Sequence, residues 1–213
     1  MTALVFDFGG PVLLTPFELR GVGERSMGLP PGTLKWTGPF DPAADEAWRD
    51  WQAGGLSERE YWALHCQEFH ELTGEPAEMP VFMAHLYSGT EEELIRPGAR
   101  ALILDAKAAG LPVGALTNDL TAFHDQSWID RMSVIKEFDV LVDGRRDGVM
   151  KPDPAAYRLI AERLGVSPED CVFVDDQPGN LAGAKAVGMM PVHLDPVDPE
   201  SGFAEARRLL GLG

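Results

Sequence analysis

Four short segments of the sequence carry the side chains that could do chemistry. In chain order, their polar residues are Asp7, the pair Thr117 and Asn118, Lys151, and the pair Asp175 and Asp176. Three of the four segments end a short apolar run, which is typical of a parallel strand buried on both faces. Because open α/β sheets bind ligands at the carboxyl ends of their strands, we expect these side chains to meet in one crevice.

These residue types fit transfer of a phosphoryl group to a carboxylate. A nucleophilic Asp7 would be repelled by a phosphate dianion, so the site needs a cation and hydrogen-bond donors around the transferring oxygens. Asp7 and Asp176 could hold Mg²⁺, which prefers carboxylate, carbonyl and water oxygens. Thr117 and the backbone N–H of Asn118 would bind phosphoryl oxygens, and Lys151 would add positive charge.

The four segments together resemble the haloacid dehalogenase superfamily in their order, their spacing and the strands that flank them. The resemblance covers almost the whole chain apart from residues about 15 to 95. The resemblance implies an aspartyl-phosphate intermediate on Asp7 and Mg²⁺ as cofactor. It places the metal on Asp7, Asp176 and the backbone carbonyl of Gly9, with Asp175 as a ligand or directly behind them. Gly10 would join Gly9 in contacting the phosphate.

The resemblance also implies the fold. We expect an α/β, Rossmann-like three-layer sandwich with a mainly parallel sheet in the strand order 3-2-1-4-5. The core would comprise residues 1–14 and 96–213, and residues 15–95 would form a small inserted helical cap. Within that insertion, Ser57 and Glu60 form a predicted capping box at the start of a helix that runs to Leu72.

The core elements are predicted from periodicity and turn signals. The strands are expected near 112–117, 138–142, 171–175 and 190–194, and the helices near 98–109, 154–164, 179–187 and 199–210. Helical material is expected near 119–136. In the cap, Phe17 and Arg20 follow the nucleophile turn and are the candidates for contact with substrate. The tryptophans of the cap are expected to form its core.

One position departs from most phosphatases of this family. They carry an Asp two residues after the nucleophile, which protonates the leaving group, and here that position is Gly9. Gly9 and Gly10 allow positive φ angles and a close approach of the backbone to a ligand. The chain most resembles bacterial sugar-phosphate phosphatases of the family that also have Gly there.

Two alternatives stay open. Dehalogenases of the family also lack the second Asp, because halide leaves without a proton. They work without metal and replace the acidic pair by small polar residues, whereas this chain keeps Asp175 and Asp176. The main prediction is therefore a Mg²⁺-dependent phosphatase acting on a small phosphorylated metabolite. The alternatives are a metal-independent 2-haloacid dehalogenase and a non-catalytic module that binds a phosphate ligand.

Composition limits the partners. The formal net charge of −16, from 18 basic and 34 acidic residues, argues against nucleic acid and anionic membranes as partners. Cys66 and Cys171 are expected to be buried thiols rather than a disulfide framework. The start of the sequence leads directly into a core strand, so we expect no signal peptide, no membrane span and a cytoplasmic location. A monomer or a homodimer is expected.

Overall fold

Five parallel strands form the central sheet of the computed structural model, which describes residues 1–213. The strands are β1 Ala3–Phe6, β2 Val113–Thr117, β3 Val140–Asp143, β4 Cys171–Asp175 and β5 Met190–His193. They lie side by side in the order β3-β2-β1-β4-β5, which confirms the predicted order. Phe6 pairs with Ala115 on one side and with Val174 on the other. The chain therefore leaves β1, β2 and β4 at the same edge of the sheet.

The chain divides into two compact units, Met1–Leu14 with Ile95–Gly213, and Thr15–Leu94. The second unit contains α1 Arg20–Ser26, α2 Glu46–Gln52, α3 Glu58–Thr73, α4 Met79–Leu86 and α5 Glu91–Leu94. The first unit contains α6 Pro97–Ala108, α7 Leu120–Phe123, α8 Gln126–Arg131, α9 Gly144–Asp147, α10 Pro154–Leu164, α11 Pro178–Ala186 and α12 Pro199–Leu210. None of these helices combines the length and the apolar character that a membrane span requires. That residues 15–95 act as a cap stays a prediction.

Helices cover both faces of the sheet. Val5 of β1 belongs to the same buried cluster as Ile160 of α10. The ring of Phe6 meets that of Phe203 in α12 edge to face, with centroids 6.5 Å apart. Because successive side chains of a strand point to opposite faces, α10 and α12 lie on opposite sides of the sheet. This is the predicted three-layer α/β arrangement, and it explains why β1, β2 and β4 are buried along their whole length.

The helical material predicted near 119–136 is divided into three short elements. It contains α7, α8 and the 3₁₀ helix Ser133–Glu137, with extended backbone at His124 and Met132 between them. Asp125 starts α8 because its carboxylate accepts the backbone N–H of Trp128 at 2.8 Å. Such a side-chain cap competes with helix continuation. The cap therefore separates α8 from α7 within this region.

Helix α9 lies outside the helices predicted from periodicity. The Asp143 carboxylate caps its start by accepting the N–H of Arg145, and Gly148 ends it with a φ of 75° in the left-handed region. A cap and a terminal glycine enclose a single helical turn here, which is too short to produce a periodic apolar pattern.

Helix α3 confirms the predicted capping box. Ser57 Oγ accepts the N–H of Glu60 at 3.3 Å, and the Glu60 carboxylate accepts the N–H of Ser57 at 2.8 Å. The helix ends before Gly74, which has a φ of 76°. Two hydrogen bonds from backbone N–H groups to side chains at the start, and a left-handed glycine at the end, therefore fix the bounds of the longest helix in the second unit.

The second unit has an aromatic core of its own. The Phe17 ring lies 5.7 Å from Trp36 and 5.4 Å from Trp62, measured between centroids. Tyr61 is fully buried among these rings, and its hydroxyl donates to the Asp45 carboxylate at 2.9 Å. Trp36 and Trp62 are buried in this core as expected, whereas Trp48 and Trp51 are only partly buried.

Candidate active site

Asp7 lies directly after β1, at the carboxyl edge of the sheet. Its backbone N–H donates to the carbonyl of Val174 at 2.8 Å, which continues the pairing with β4 for one more residue. Its carboxylate Oδ1 accepts the N–H of Phe8 at 2.6 Å. These two bonds fix both the backbone and the side chain of Asp7, which is 9% exposed. A buried but accessible carboxylate at this edge can act as a nucleophile.

Lys151 places a single ammonium group between two carboxylates. Its Nζ lies 2.9 Å from Asp7 Oδ1 and 2.8 Å from Asp175 Oδ2. The side chain of Lys151 is 1% exposed and that of Asp175 is not exposed at all. Burial opposes protonation of this amine, yet the two carboxylates outweigh it and raise the pKa of Lys151 above its ordinary value. This shift favours the protonated, cationic form of Lys151.

Asp7, Asp175 and Asp176 carry more negative charge than Lys151 can balance. Carboxylate oxygens of the three residues all lie within 4.8 Å of one another. Burial, and then repulsion from Asp175, raise the pKa of Asp7 to about 7 even though Lys151 lowers it. Burial, followed by repulsion from Asp7 and Asp175, raises the pKa of Asp176 to about 8. A cluster of hard oxygen ligands with uncompensated charge fits a divalent cation such as Mg²⁺.

Asp175 and Asp176 differ in their surroundings, although they are adjacent. The Asp175 carboxylate accepts the N–H of Gln177 at 2.7 Å and the side-chain amide of Asn180 at 3.0 and 3.1 Å, in addition to Lys151. It is fully occupied by protein donors. The Asp176 carboxylate instead lies against the backbone of Gly10. This difference suits Asp176 to a metal and Asp175 to orienting Lys151.

The two glycines after the nucleophile also differ. Gly10 has a φ of 87°, and a Cβ there would lie 2.7 Å from Asp176 Oδ2. Gly9 has no positive φ, and a Cβ there would meet nothing within 4 Å. Of the two glycines, both of which could adopt a positive φ, only Gly10 does so.

The end of β2 carries Thr117 and Asn118 to the same edge of the sheet. Thr117 is 6% exposed and pairs in register with Asp143 of β3. The side-chain amide of Asn118 forms two hydrogen bonds with the backbone of Lys151. The four predicted segments are thus brought together, whereas the binding of phosphate by Thr117, Asn118, Gly9 and Gly10 stays a prediction.

Arg96 and Asn180 belong to this site and were not singled out from the sequence. Arg96 is 4% exposed, its Nε donates to the carbonyl of Gly10 at 2.6 Å, and its backbone N–H donates to Val12 at 2.9 Å. Asn180 stands in the first turn of α11, from where its amide reaches back to Asp175. Only the position of Asn180, four residues after the acidic pair at a predicted helix start, offered a signal. A buried Arg that serves a backbone carbonyl has no sequence pattern.

Phe17 and Arg20, the predicted substrate contacts of the cap, are engaged within the second unit. Arg20 Nε donates to the carbonyl of Phe17 at 3.0 Å, and its guanidinium carbon lies 5.9 Å from the centroid of the Trp36 ring. Phe17 is 7% exposed in the aromatic core. These contacts favour packing for Phe17. Contact of either residue with substrate stays a prediction.

A comparison with protein families matches residues 32–188 to the haloacid dehalogenase-like hydrolases. Acyl-CoA dehydrogenase family member 10 of Mus musculus is 29% identical over 98% of this chain, which spans only 19% of that protein. Phosphatase MT3486 of Mycobacterium tuberculosis (strain CDC 1551 / Oshkosh) is 29% identical over 92% of this chain and 88% of its own length. Phosphoglycolate phosphatase of Escherichia coli (strain K12) is 35% identical over 41% of this chain and 34% of its own length.

Solved structures with the same fold carry different activities in their names. A putative beta-phosphoglucomutase from Thermotoga maritima superimposes with a TM-score of 0.60 at 22% identity, over 100% of this chain and 98% of its own. The L-2-haloacid dehalogenase from Xanthobacter autotrophicus gives 0.57 at 20% identity, over 99% and 83%. At these identities the likeness shows the fold alone.

Proposed function

Because the chain belongs to the haloacid dehalogenase-like hydrolase family, we propose that it is a Mg²⁺-dependent phosphatase acting on a small phosphorylated metabolite. The family membership confirms the resemblance drawn from the four segments. The observation that carries the proposal is the cluster of Asp7, Asp175 and Asp176, whose carboxylates share a single ammonium group. Phosphatase names among the relatives support the same activity.

Asp7, Asp176 and the backbone carbonyl of Gly9 would hold the Mg²⁺. When bound, the cation neutralises charge between the carboxylates and the phosphoryl group and orients the phosphoryl oxygens. Asp175 stays outside this set, because its oxygens already accept from Lys151, Gln177 and Asn180.

The reaction runs in two displacements at phosphorus. Asp7 Oδ attacks the phosphorus, the bond to the leaving-group oxygen breaks, and the phosphoryl group is carried on Asp7 as an acyl phosphate. Water then attacks that phosphorus, the bond to Asp7 breaks, and inorganic phosphate and the free carboxylate are released. Lys151, the Thr117 hydroxyl and the N–H of Asn118 would stabilise the negative charge on the phosphoryl oxygens.

The leaving group receives its proton from elsewhere than position 9. Gly9 has no side chain, and a positioned acid typically supplies about 10²- to 10⁴-fold in rate. Substrates whose leaving groups depart as stable anions therefore suit this site best. Among them, anomeric sugar phosphates and acyl phosphates are the first classes to test.

Dehalogenation is the second candidate, and Gly9 is the observation that favours it, because halide needs no proton. The acidic cluster disfavours it, since burial and then repulsion from Asp175 raise the pKa of Asp7 and reduce its anionic fraction in the absence of a cation. A non-catalytic phosphate-binding role would use the same groups without turnover.

A substrate panel separates these three functions. Phosphorylated metabolites are assayed with Mg²⁺ and with a chelator, beside a 2-haloacid. We expect release of phosphate that depends on Mg²⁺ and no release of halide. Halide release in chelator, with no phosphate release under either condition, would establish the dehalogenase. Binding of phosphate without any turnover across the panel would establish the binding module.

A further inference from the structure

We propose that the side chain of Asn118 is a positioning group for Lys151, in addition to any contact that its backbone N–H makes with phosphate. Asn118 Oδ1 accepts the backbone N–H of Lys151 at 2.8 Å. Asn118 Nδ2 donates to the backbone carbonyl of the same residue at 3.0 Å. One amide group thus satisfies both backbone groups of a residue that is 33 positions away in the sequence.

The backbone of Lys151 must be held in place because the lysine side chain is long and flexible. A lysine loses much of its side-chain rotamer entropy when it is immobilised. Its ammonium group must nevertheless reach Asp7 at 2.9 Å and Asp175 at 2.8 Å simultaneously. With the backbone held by Asn118 and the ammonium held by two carboxylates, the chain between them is restrained at both ends. Stabilisation of charge in a transition state depends on this kind of preorganisation.

Asn118 is itself held from the opposite side. Its carbonyl accepts the N–H of Arg145 at 3.1 Å, and the same N–H also donates to Asp143 Oδ1 at 3.1 Å. Asp143 is fully buried, and its Oδ2 accepts the N–H of Thr121 at 2.9 Å. The start of α9 and the start of α7 are thereby tied together around Asn118. The side-chain amide of Asn118 thus connects Lys151 to a loop that is itself held by hydrogen bonds. We call its two hydrogen bonds to the Lys151 backbone the bridge.

Only an amide of this length provides both contacts. Asp at position 118 would keep the acceptor for the Lys151 N–H but would turn a second oxygen towards the Lys151 carbonyl. Leu has a similar branched shape and provides neither hydrogen bond. The change Asn118→Leu therefore removes the bridge with little change in volume, and Asn118→Asp removes half of it.

A double-mutant cycle tests the proposal, which rests on the proposed phosphatase activity for this readout. The kcat and KM for an aryl phosphate with Mg²⁺ are measured for wild type, Asn118→Leu, Lys151→Ala and the double variant. We expect Asn118→Leu to lower kcat by about 10- to 100-fold, as a misplacement on the order of 1 Å does, with a smaller change in KM. In the Lys151→Ala background the same change is expected to have no further effect, because it acts through Lys151.

The matched control is Gln126→Leu. Gln126 is an exposed amide of α8 that bonds Asp130 on the same helix at 2.8 Å, and its replacement is expected to leave kcat at the wild-type value. Should Asn118→Leu fail to fold, Asn118→Asp is measured in its place, with a smaller loss of kcat expected. Full kcat in the folded variant, or a loss that adds to that of Lys151→Ala, would overturn the proposal.

A crystal structure of the Asn118 variant gives a readout that does not depend on turnover. We expect Lys151 Nζ to leave its position between Asp7 and Asp175. An unmoved ammonium group would refute the positioning role even if activity fell. If wild type hydrolyses no phosphate ester, the proposed function fails, and the position of Lys151 in the variant still decides the role of Asn118.

Discussion

Gly10 and Asp176 approach so closely that no side chain fits between them. A Cβ on Gly10 would lie 2.7 Å from Asp176 Oδ2, and the φ of Gly10 is 87°. The carbonyl of Gly10 is held by Arg96 on its other side. The turn after the nucleophile is therefore fixed against a carboxylate that we propose as a metal ligand.

The first prediction contrasts Gly10→Ala with Gly9→Ala. At Gly10 the methyl group meets the Asp176 carboxylate in a backbone conformation that costs an L-residue roughly 1–2 kcal/mol. We expect a lower free energy of unfolding and a weaker apparent affinity for Mg²⁺. At Gly9 there is open space and no positive φ, so the free energy of unfolding should stay within about 0.5 kcal/mol of wild type. Chemical denaturation measures the free energy of unfolding, and Mg²⁺ titration of activity measures the apparent affinity. Equal effects at the two positions would contradict the different roles assigned to Gly9 and Gly10.

The second prediction concerns the proton that Gly9 does not supply. The logarithm of the single-turnover rate should fall steeply as the pKa of the leaving group rises, since the departing oxygen leaves without a positioned acid. Gly9→Asp should flatten this dependence by raising the rate on alkyl phosphates, because the structure leaves room for the new side chain. A series of aryl and alkyl phosphates measures both slopes. A flat dependence in wild type would mean that another residue donates the proton.

The third prediction separates the two adjacent carboxylates. Asp175→Asn removes a partner of the buried Lys151 ammonium, which should destabilise the protein by about 3–5 kcal/mol. Asp176→Asn removes a carboxylate that repels Asp7 and Asp175, so the metal-free protein should keep or gain stability while the Mg²⁺ needed for half-maximal activity rises. Denaturant unfolding in chelator tests the predicted stabilities, and Mg²⁺ titrations of activity test the predicted metal requirement. If Asp176→Asn were the more destabilising variant and Asp175→Asn raised the Mg²⁺ requirement more, the roles assigned to the two residues would be wrong.

The fourth prediction is a pH dependence of stability from His124. Burial, and then the charge of Arg131, lower the pKa of His124 from 6.5 to about 4. The folded protein therefore binds fewer protons than the unfolded chain between these values. The contribution of neutral His124 to the free energy of unfolding is fully present above pH 6.5. It is lost as the pH falls towards 4, and the loss is at most about 3 kcal/mol.

The matched variants for this prediction are His124→Phe and His193→Gln. Phe can keep the stacking on Trp128, whose ring centroid lies 3.7 Å from that of His124, but it does not titrate. Unfolding free energies are compared at pH 7 and pH 4.5. The loss between the two should be smaller in His124→Phe than in wild type and unchanged in the exposed control His193→Gln. An identical loss in all three proteins would show that His124 does not contribute.

The resemblance to the family implied the sheet order. The meeting of the four segments could be predicted from the sequence, because parallel strands bring their carboxyl ends to one edge whatever the loops do. It could not separate Gly9 from Gly10, since a φ angle and the distance to Asp176 depend on tertiary packing. The two hydrogen bonds between the Asn118 side chain and the Lys151 backbone join residues far apart in the chain, so no local sequence pattern predicts them. Arg96 was missed for the same reason, because the only local pattern around it is a charged residue before a proline.

The most direct test of the central claim is the identification of the phosphorylated residue. Wild-type protein with Mg²⁺ is mixed with an aryl phosphate, quenched in acid within one turnover, digested and analysed by mass spectrometry. We expect a phosphoryl group on the peptide that contains Asp7, on that residue, and neither the adduct nor turnover in Asp7→Asn. Turnover that persists in Asp7→Asn, or a phosphoryl group on a different residue, would contradict the account.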